Sequence, residues 1–235
     1  MPIEREEGAA DPGQQDADPA KIEPRWPVVL SLGLFIAVTL VLRVVEPHGR
    51  SFGPRWLVPG AEVVLLMLLL AADPARVSGR RRWLRRGAIA LVGLFGAAAL
   101  ASTVVLITDL IKGDKVTNSA STLLAAGSLT WLGNCLVFGL LYWLLDSGGP
   151  LARYRGEQSC PDFSFPQQQS PELAPPGWRP LYVDYLVLGL TTSTAFSPTD
   201  VMPLARWAKL SMALQSLISL AVVGLVVARA VNVLR

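Results

Sequence analysis

Histidine occurs once, at His48, and cysteine only twice, at Cys135 and Cys160. Zinc sites draw chiefly on those two residue types, so a metal centre is not expected. Cys135 sits in an apolar run and Cys160 in a polar one. The two thiols should therefore lie at different depths, without a disulfide. Charge is also scarce, at 17% of residues. No Gly-rich phosphate loop is present, which argues against nucleotide chemistry. Only Glu62 and Asp109 would put carboxylates near membrane depth for an intramembrane acid–base pair. We therefore expect no enzyme and no cofactor. The net charge of +3 is split unevenly, in a way that topology explains without nucleic acid.

What the chain has is hydrophobic length: 51% of its residues are hydrophobic and its mean hydropathy is +0.43. A membrane span needs about 20 apolar residues at about 1.5 Å each. Four runs, near residues 26–45, 56–72, 87–111 and 121–145, reach or approach that length, as does a fifth near 204–227. In a bilayer every backbone N–H and C=O must be satisfied within the segment, so these runs should be helices. They do not alternate, which excludes a β-barrel. The fold class expected is an all-α polytopic transmembrane bundle of five or six membrane-embedded helices. Its lipid partner is the bilayer itself. Gly93, Ala97 and Ala101 form a small-residue ridge suited to close helix packing.

Four regions follow. Residues 1–25 carry seven acids and three bases among Pro, Gly and Gln, and should form a disordered acidic tail. Acids come before the first apolar run, which is the wrong order for a signal peptide. Residues 26–145 make a four-helix transmembrane region. Residues 146–180, rich in Pro and Gln, read as a long loop without regular structure. Residues 181–235 hold a short apolar segment and a final span. Six arginines at 76, 80, 81, 82, 85 and 86 mark a cytoplasmic loop. Placing them inside puts 14 of the 21 basic residues there, together with the N-terminus and the long loop. An inner or plasma membrane location is expected. Segment 180–196 can cross, giving six spans, or re-enter, giving five. The charge count is the same for both.

The stretch DYLVLGLTTSTAFSPTDVMPLARWAKLSMALQSLISLAVVGLVVARAV, residues 184–231, resembles the pore-loop and inner-helix half of two-helix prokaryotic potassium channels. Asp184 and Tyr185 open a run like a pore helix, and Thr191 and Thr192 stand where a filter begins. The likeness implies a homo-oligomeric pore. A potassium filter, however, is a TVGYG-type stretch of lining carbonyls whose glycines permit its backbone. Residues 193–198 read STAFSP, and Pro198 fixes its own φ, so potassium selectivity is not implied. The second half, with DFSFP at residues 162–166, also resembles a family of small bacterial integral membrane proteins with a DFxFP segment, for which no activity is implied.

The polar stretch TTSTAFSPTD, residues 191–200, has three readings. Its hydroxyls bond back to the preceding turn and Ser197, Thr199 or Asp200 caps the next helix, with Pro203 in its first turn. Or Thr191, Thr192, Ser193 and Thr194 line a water-filled pore with Asp200 at its mouth. Or a solute binds between broken helices. Glu62, just after Pro59 and Gly60, is the ionisable residue best placed to face a bundle interior. The expected function is that of an integral membrane protein forming a channel-like, hydroxyl-lined, non-potassium pore. The alternatives are a small-solute transporter and a membrane scaffold that recruits a protein partner through the acidic tail or the Arg loop.

Overall fold

The computed structural model describes residues 24, 26–45, 64, 86–87, 89–90, 93–94, 96–97, 103–104, 108, 120–156, 160–195 and 200–233. The acidic tail, the loop containing His48, Glu62, Asp109 and most of the second and third apolar runs lie outside these residues. So do the Arg-rich stretch, apart from Arg86, and the Gly93/Ala97/Ala101 ridge beyond its first two members.

The described fold is helical, with one pair of two-residue strands. Helix α1 is Trp26–Val45 and α2 is Ala120–Leu145. A 3-10 turn at Asp146–Gly148 leads into the short α3, Pro150–Arg155. Strand β1, Phe163–Ser164, is followed by α4, Pro166–Gln169, and a second 3-10 turn at Pro171–Leu173. Then come α5, Tyr182–Ala195, strand β2, Met202–Pro203, and α6, Arg206–Val233. The stretches Leu124–Arg155 and Arg206–Ala228 are long and apolar enough to cross a membrane, and Trp26–Val41 is an apolar but shorter helix.

Helix α2 is the shaft of the assembly and touches α1, α5 and α6. Its glycines explain how one helix seats three partners. Gly127, Gly133 and Gly139 are six residues apart, and six residues turn an α-helix by about 240°. Each glycine therefore opens a different side of the shaft. A Cβ at Gly127 would meet Val226 of α6, and one at Gly133 would meet Phe35 of α1. A Cβ at Gly139 would lie 3.2 Å from the Leu186 Cα of α5. Gly189 answers from α5, where a Cβ would lie 2.8 Å from the Cys135 carbonyl oxygen. The α2 and α5 backbones thus cross in near contact, as small residues allow between membrane helices.

Contacts also fix the helix directions. Tyr185 of α5 and Trp207 of α6 both pack on Phe163, close to Asp146 at the end of α2. Deeper in the bundle, Gln215 reaches Gly189 and Ser193, Asn134 reaches Ser219, and Gly127 faces Val226. Helices α5 and α6 are therefore parallel to each other and antiparallel to α2. Tyr182 donates a hydrogen bond to Ser31 of α1 at this same end, while Phe35 lies beside Gly133, so α1 runs with α5 and α6. Helix α5 has 14 residues, about 21 Å at helical rise, too short for a core of about 30 Å. It descends from the end that also holds the start of α6, and by Met202 the chain is back there. The starts of α5 and α6 therefore lie at one end of the helix bundle.

Two expectations change. Residues 146–156 and 160–180 have ordered structure despite their prolines, because Phe163 and Phe165 are buried in the aromatic core with Tyr185, Trp178 and Trp207. Pro203 does not enter the last helix. It pairs opposite Phe163 while Met202 pairs opposite Ser164, and Leu204 and Ala205 donate their amides to the Asp162 carbonyl at 2.8 and 3.2 Å. The helix starts only at Arg206. From Leu210 to Ala228 the exposed side chains of α6 are apolar, with Leu210 72% and Leu217 64% exposed.

Candidate functional site

Polar side chains in an apolar helix must find partners or lose hydration without return. Those of α2, α5 and α6 turn inward and meet in one seam. Gln215 of α6 is its hub and is fully buried. Its amide nitrogen donates to the Gly189 carbonyl at 2.7 Å and to Ser193 Oγ at 2.8 Å. Its amide oxygen accepts Tyr142 Oη–H at 2.6 Å. One side chain thus ties the half-length α5 to both long helices.

Around the hub, Asn134 Nδ2 donates to Ser219 Oγ at 2.9 Å and to the Gln215 carbonyl at 3.4 Å. Trp131 Nε1 donates to the Ser193 carbonyl at 3.4 Å, and Ser216 Oγ to the Thr192 carbonyl at 3.3 Å. Two oxygens in this seam, Asn134 Oδ1 and Thr192 Oγ1, are buried without a hydrogen-bond partner.

A second cluster anchors the entry of α5. Asp146, 1% exposed, follows directly on α2. Its Oδ1 accepts the amides of Asp162 and Phe163 at 3.0 and 3.3 Å and the Ser147 hydroxyl at 3.0 Å. Its Oδ2 accepts the Tyr185 hydroxyl. Asp162 replies by accepting the Ser147 amide at 2.8 Å, which fits the left-handed backbone of Ser147, φ 51°. Arg153 Nη1 donates to the carbonyls of Trp143 and Asp146, both at 2.8 Å. These carbonyls belong to the end of α2, where a cation also suits the helix dipole. The Arg153 guanidinium lies 4.8 Å from the centre of the Tyr185 ring, within cation–π range. At the head of α5, Asp184 accepts the Leu181 amide at 2.7 Å. Burial pushes the Asp184 carboxyl above its ordinary value, with backbone hydrogen bonds pulling the other way.

The residues singled out from sequence divide. Thr191 and Thr194 bond back to their own helix, Thr191 to the Val187 and Leu188 carbonyls and Thr194 to those of Leu190 and Thr191. Thr192 and Ser193 are buried against the neighbouring helices, whereas Thr194 and Asp200 are exposed. Ser197 and Thr199 lie outside the described residues, as does Glu62. Sequence reasoning passed over Gln215, Ser219 and Asp146, gave Asn134 no role, and read Tyr142 as part of an interfacial aromatic belt, whereas its ring is buried. The available signal was Gln215 and Ser219 at i, i+4 spacing, with Asn134 alone in an apolar run. Among the described residues, no group of three or more His, Cys, Asp or Glu could hold a metal ion. Comparison with protein-family models, curated proteins and solved structures finds no match for the chain.

Proposed function

We propose that this chain is a multi-pass membrane protein whose C-terminal half works as a channel-like pore module assembled from several copies. The observation that carries the reading is the course of α5 and α6, which we read as re-entry. Helix α5 stops part-way and α6 starts again from the end where α5 began. Irregular backbone at membrane depth is tolerated where it is buried in protein or lines a water-filled path. The half-length α5, held between two long helices, fits such an arrangement. The order of long helix, half helix, return and long helix is also what the resemblance to two-helix channels implies.

In this proposal α2 is the outer helix and α6 the inner one, and the seam at Gln215 holds α5 at fixed depth. The lining candidates are the hydroxyls of Thr191 and Thr194 with the return ending at Asp200. Thr192 and Ser193 face the protein interior and act as struts. The permeant species is not potassium, because residues 193–198 carry no glycine. The acidic tail and the 146–180 segment share one side, the cytoplasmic one, of a bacterial inner or plasma membrane.

The test is purification in native-like lipid, native mass spectrometry, and single-channel recording of wild type beside Asp200→Asn. Defined oligomers with unitary steps that change size in the variant are expected. A silent monomer sinks the proposal.

A further inference from the structure

The two residues that carry the unpartnered oxygens of the seam, Asn134 and Thr192, meet neighbouring turns of α6. Ser216, which donates to the Thr192 carbonyl, and Ser219, which accepts from Asn134, are three residues apart on α6, less than one helical turn. Asn134 and Thr192 are 1% and 0% exposed, so neither reaches bulk solvent. Asn134 Oδ1 can only accept a hydrogen bond, whereas the Thr192 hydroxyl can give one and take one. The Ser219 hydroxyl accepts Asn134 Nδ2 and carries a proton of its own.

We propose that this level of the seam, between α2, α5 and α6, is a binding site for a single ordered water molecule. The water donates to Asn134 Oδ1, and the hydroxyls of Thr192 and Ser219 supply its other hydrogen bonds. Buried waters in proteins make about three hydrogen bonds to otherwise unsatisfied groups, which matches this donor and acceptor set. Charge decides against a cation. The seam side chains, Trp131, Asn134, Tyr142, Thr192, Ser193, Gln215, Ser216 and Ser219, are all neutral. An unpaired ion among them would be costly to bury. The water extends the coupling that Gln215 begins, so that α5 is held to α2 and α6 by two successive polar layers. The inference rests on the packing of α2, α5 and α6 and stands independently of the channel proposal.

Two experiments on the full-length protein in lipid bilayers test it. Proton-detected solid-state NMR should give magnetisation transfer from water to the Asn134 side-chain amide. Thr192→Val, which keeps the shape and removes the hydroxyl, should lower Tm by several degrees because the water loses a partner. If the Thr192 hydroxyl instead has no partner, its removal relieves a buried polar group and Tm stays level or rises. No transfer at Asn134, or a Tm for Thr192→Val at or above wild type, overturns the site. A wild-type Tm that falls when sodium and potassium are replaced by choline overturns water as its occupant in favour of an ion.

Discussion

Among the described residues, Gln215 carries more of the helix-to-helix bonding than any hydroxyl of Thr191, Thr192, Ser193 or Thr194. Gln215→Leu removes the acceptor of the Tyr142 hydroxyl and the donor to Ser193 Oγ. Each buried unsatisfied group costs about 1–3 kcal/mol, and membrane hydrogen bonds average roughly 0.6 kcal/mol. We expect a loss of about 2 kcal/mol, read by unfolding in mixed micelles with increasing SDS. Thr191→Val is the contrast. Its hydroxyl bonds only to its own helix, so the change should stay within about 0.5 kcal/mol. Asp146 is predicted to divide by substitution. Asn keeps one oxygen for the Asp162 and Phe163 amides and offers its nitrogen to the Tyr185 oxygen. Alanine abandons all of these donors. Asp146→Ala should cost more than about 3 kcal/mol and flatten the near-UV dichroism of the aromatic cluster, while Asp146→Asn preserves most of both. None of these roles shows in the chain read as letters, because a polar residue inside an apolar run has no visible partner until the helices are docked.

At the scale of elements, apolar length and its punctuation were the readable signals. The run read as 26–45 is α1 over the same residues, and the run read as 121–145 is α2 from Ala120 to Leu145. Helix α5 runs past its apolar part to Ala195, with the Thr191 and Thr194 hydroxyls satisfied by the carbonyls of Val187 and Leu190 in the preceding turn. The order within residues 160–180 was not readable. It depends on Phe163 and Phe165 entering a core built by Tyr142, Tyr185 and Trp207, a long-range event that proline content does not report. Glycines give the sharpest prediction here. Gly139→Val drives a side chain into the Leu186 backbone and should cost about 1–3 kcal/mol or more. Gly33 and Gly224 have nothing within 4 Å of an added Cβ. Gly→Ala at either should gain about 0.5–1 kcal/mol of helix stability. The same SDS titration reads both signs.

For the whole molecule, the prediction concerns sides. The start of α5 and the start of α6 share an end, and the far end of α6 lies opposite. In a background with Cys135 and Cys160 replaced by Ser, single cysteines at Leu181 and Leu204 should react with a membrane-impermeant maleimide from one face of oriented vesicles. A cysteine at Val231 should react only from the other. Labelling of Leu181 and Leu204 from opposite faces would mean that α5 crosses, and re-entry would be wrong. The six-residue glycine interval of α2 has a consequence for the gene as well. Losing or gaining one codon between Gly133 and Gly139 leaves the helix intact but swings the two grooves about 100° out of phase. Such a length change should be far harder to tolerate than an amino-acid exchange on the lipid-facing side. Chains descended from a common ancestor should therefore hold the count of this interval at six.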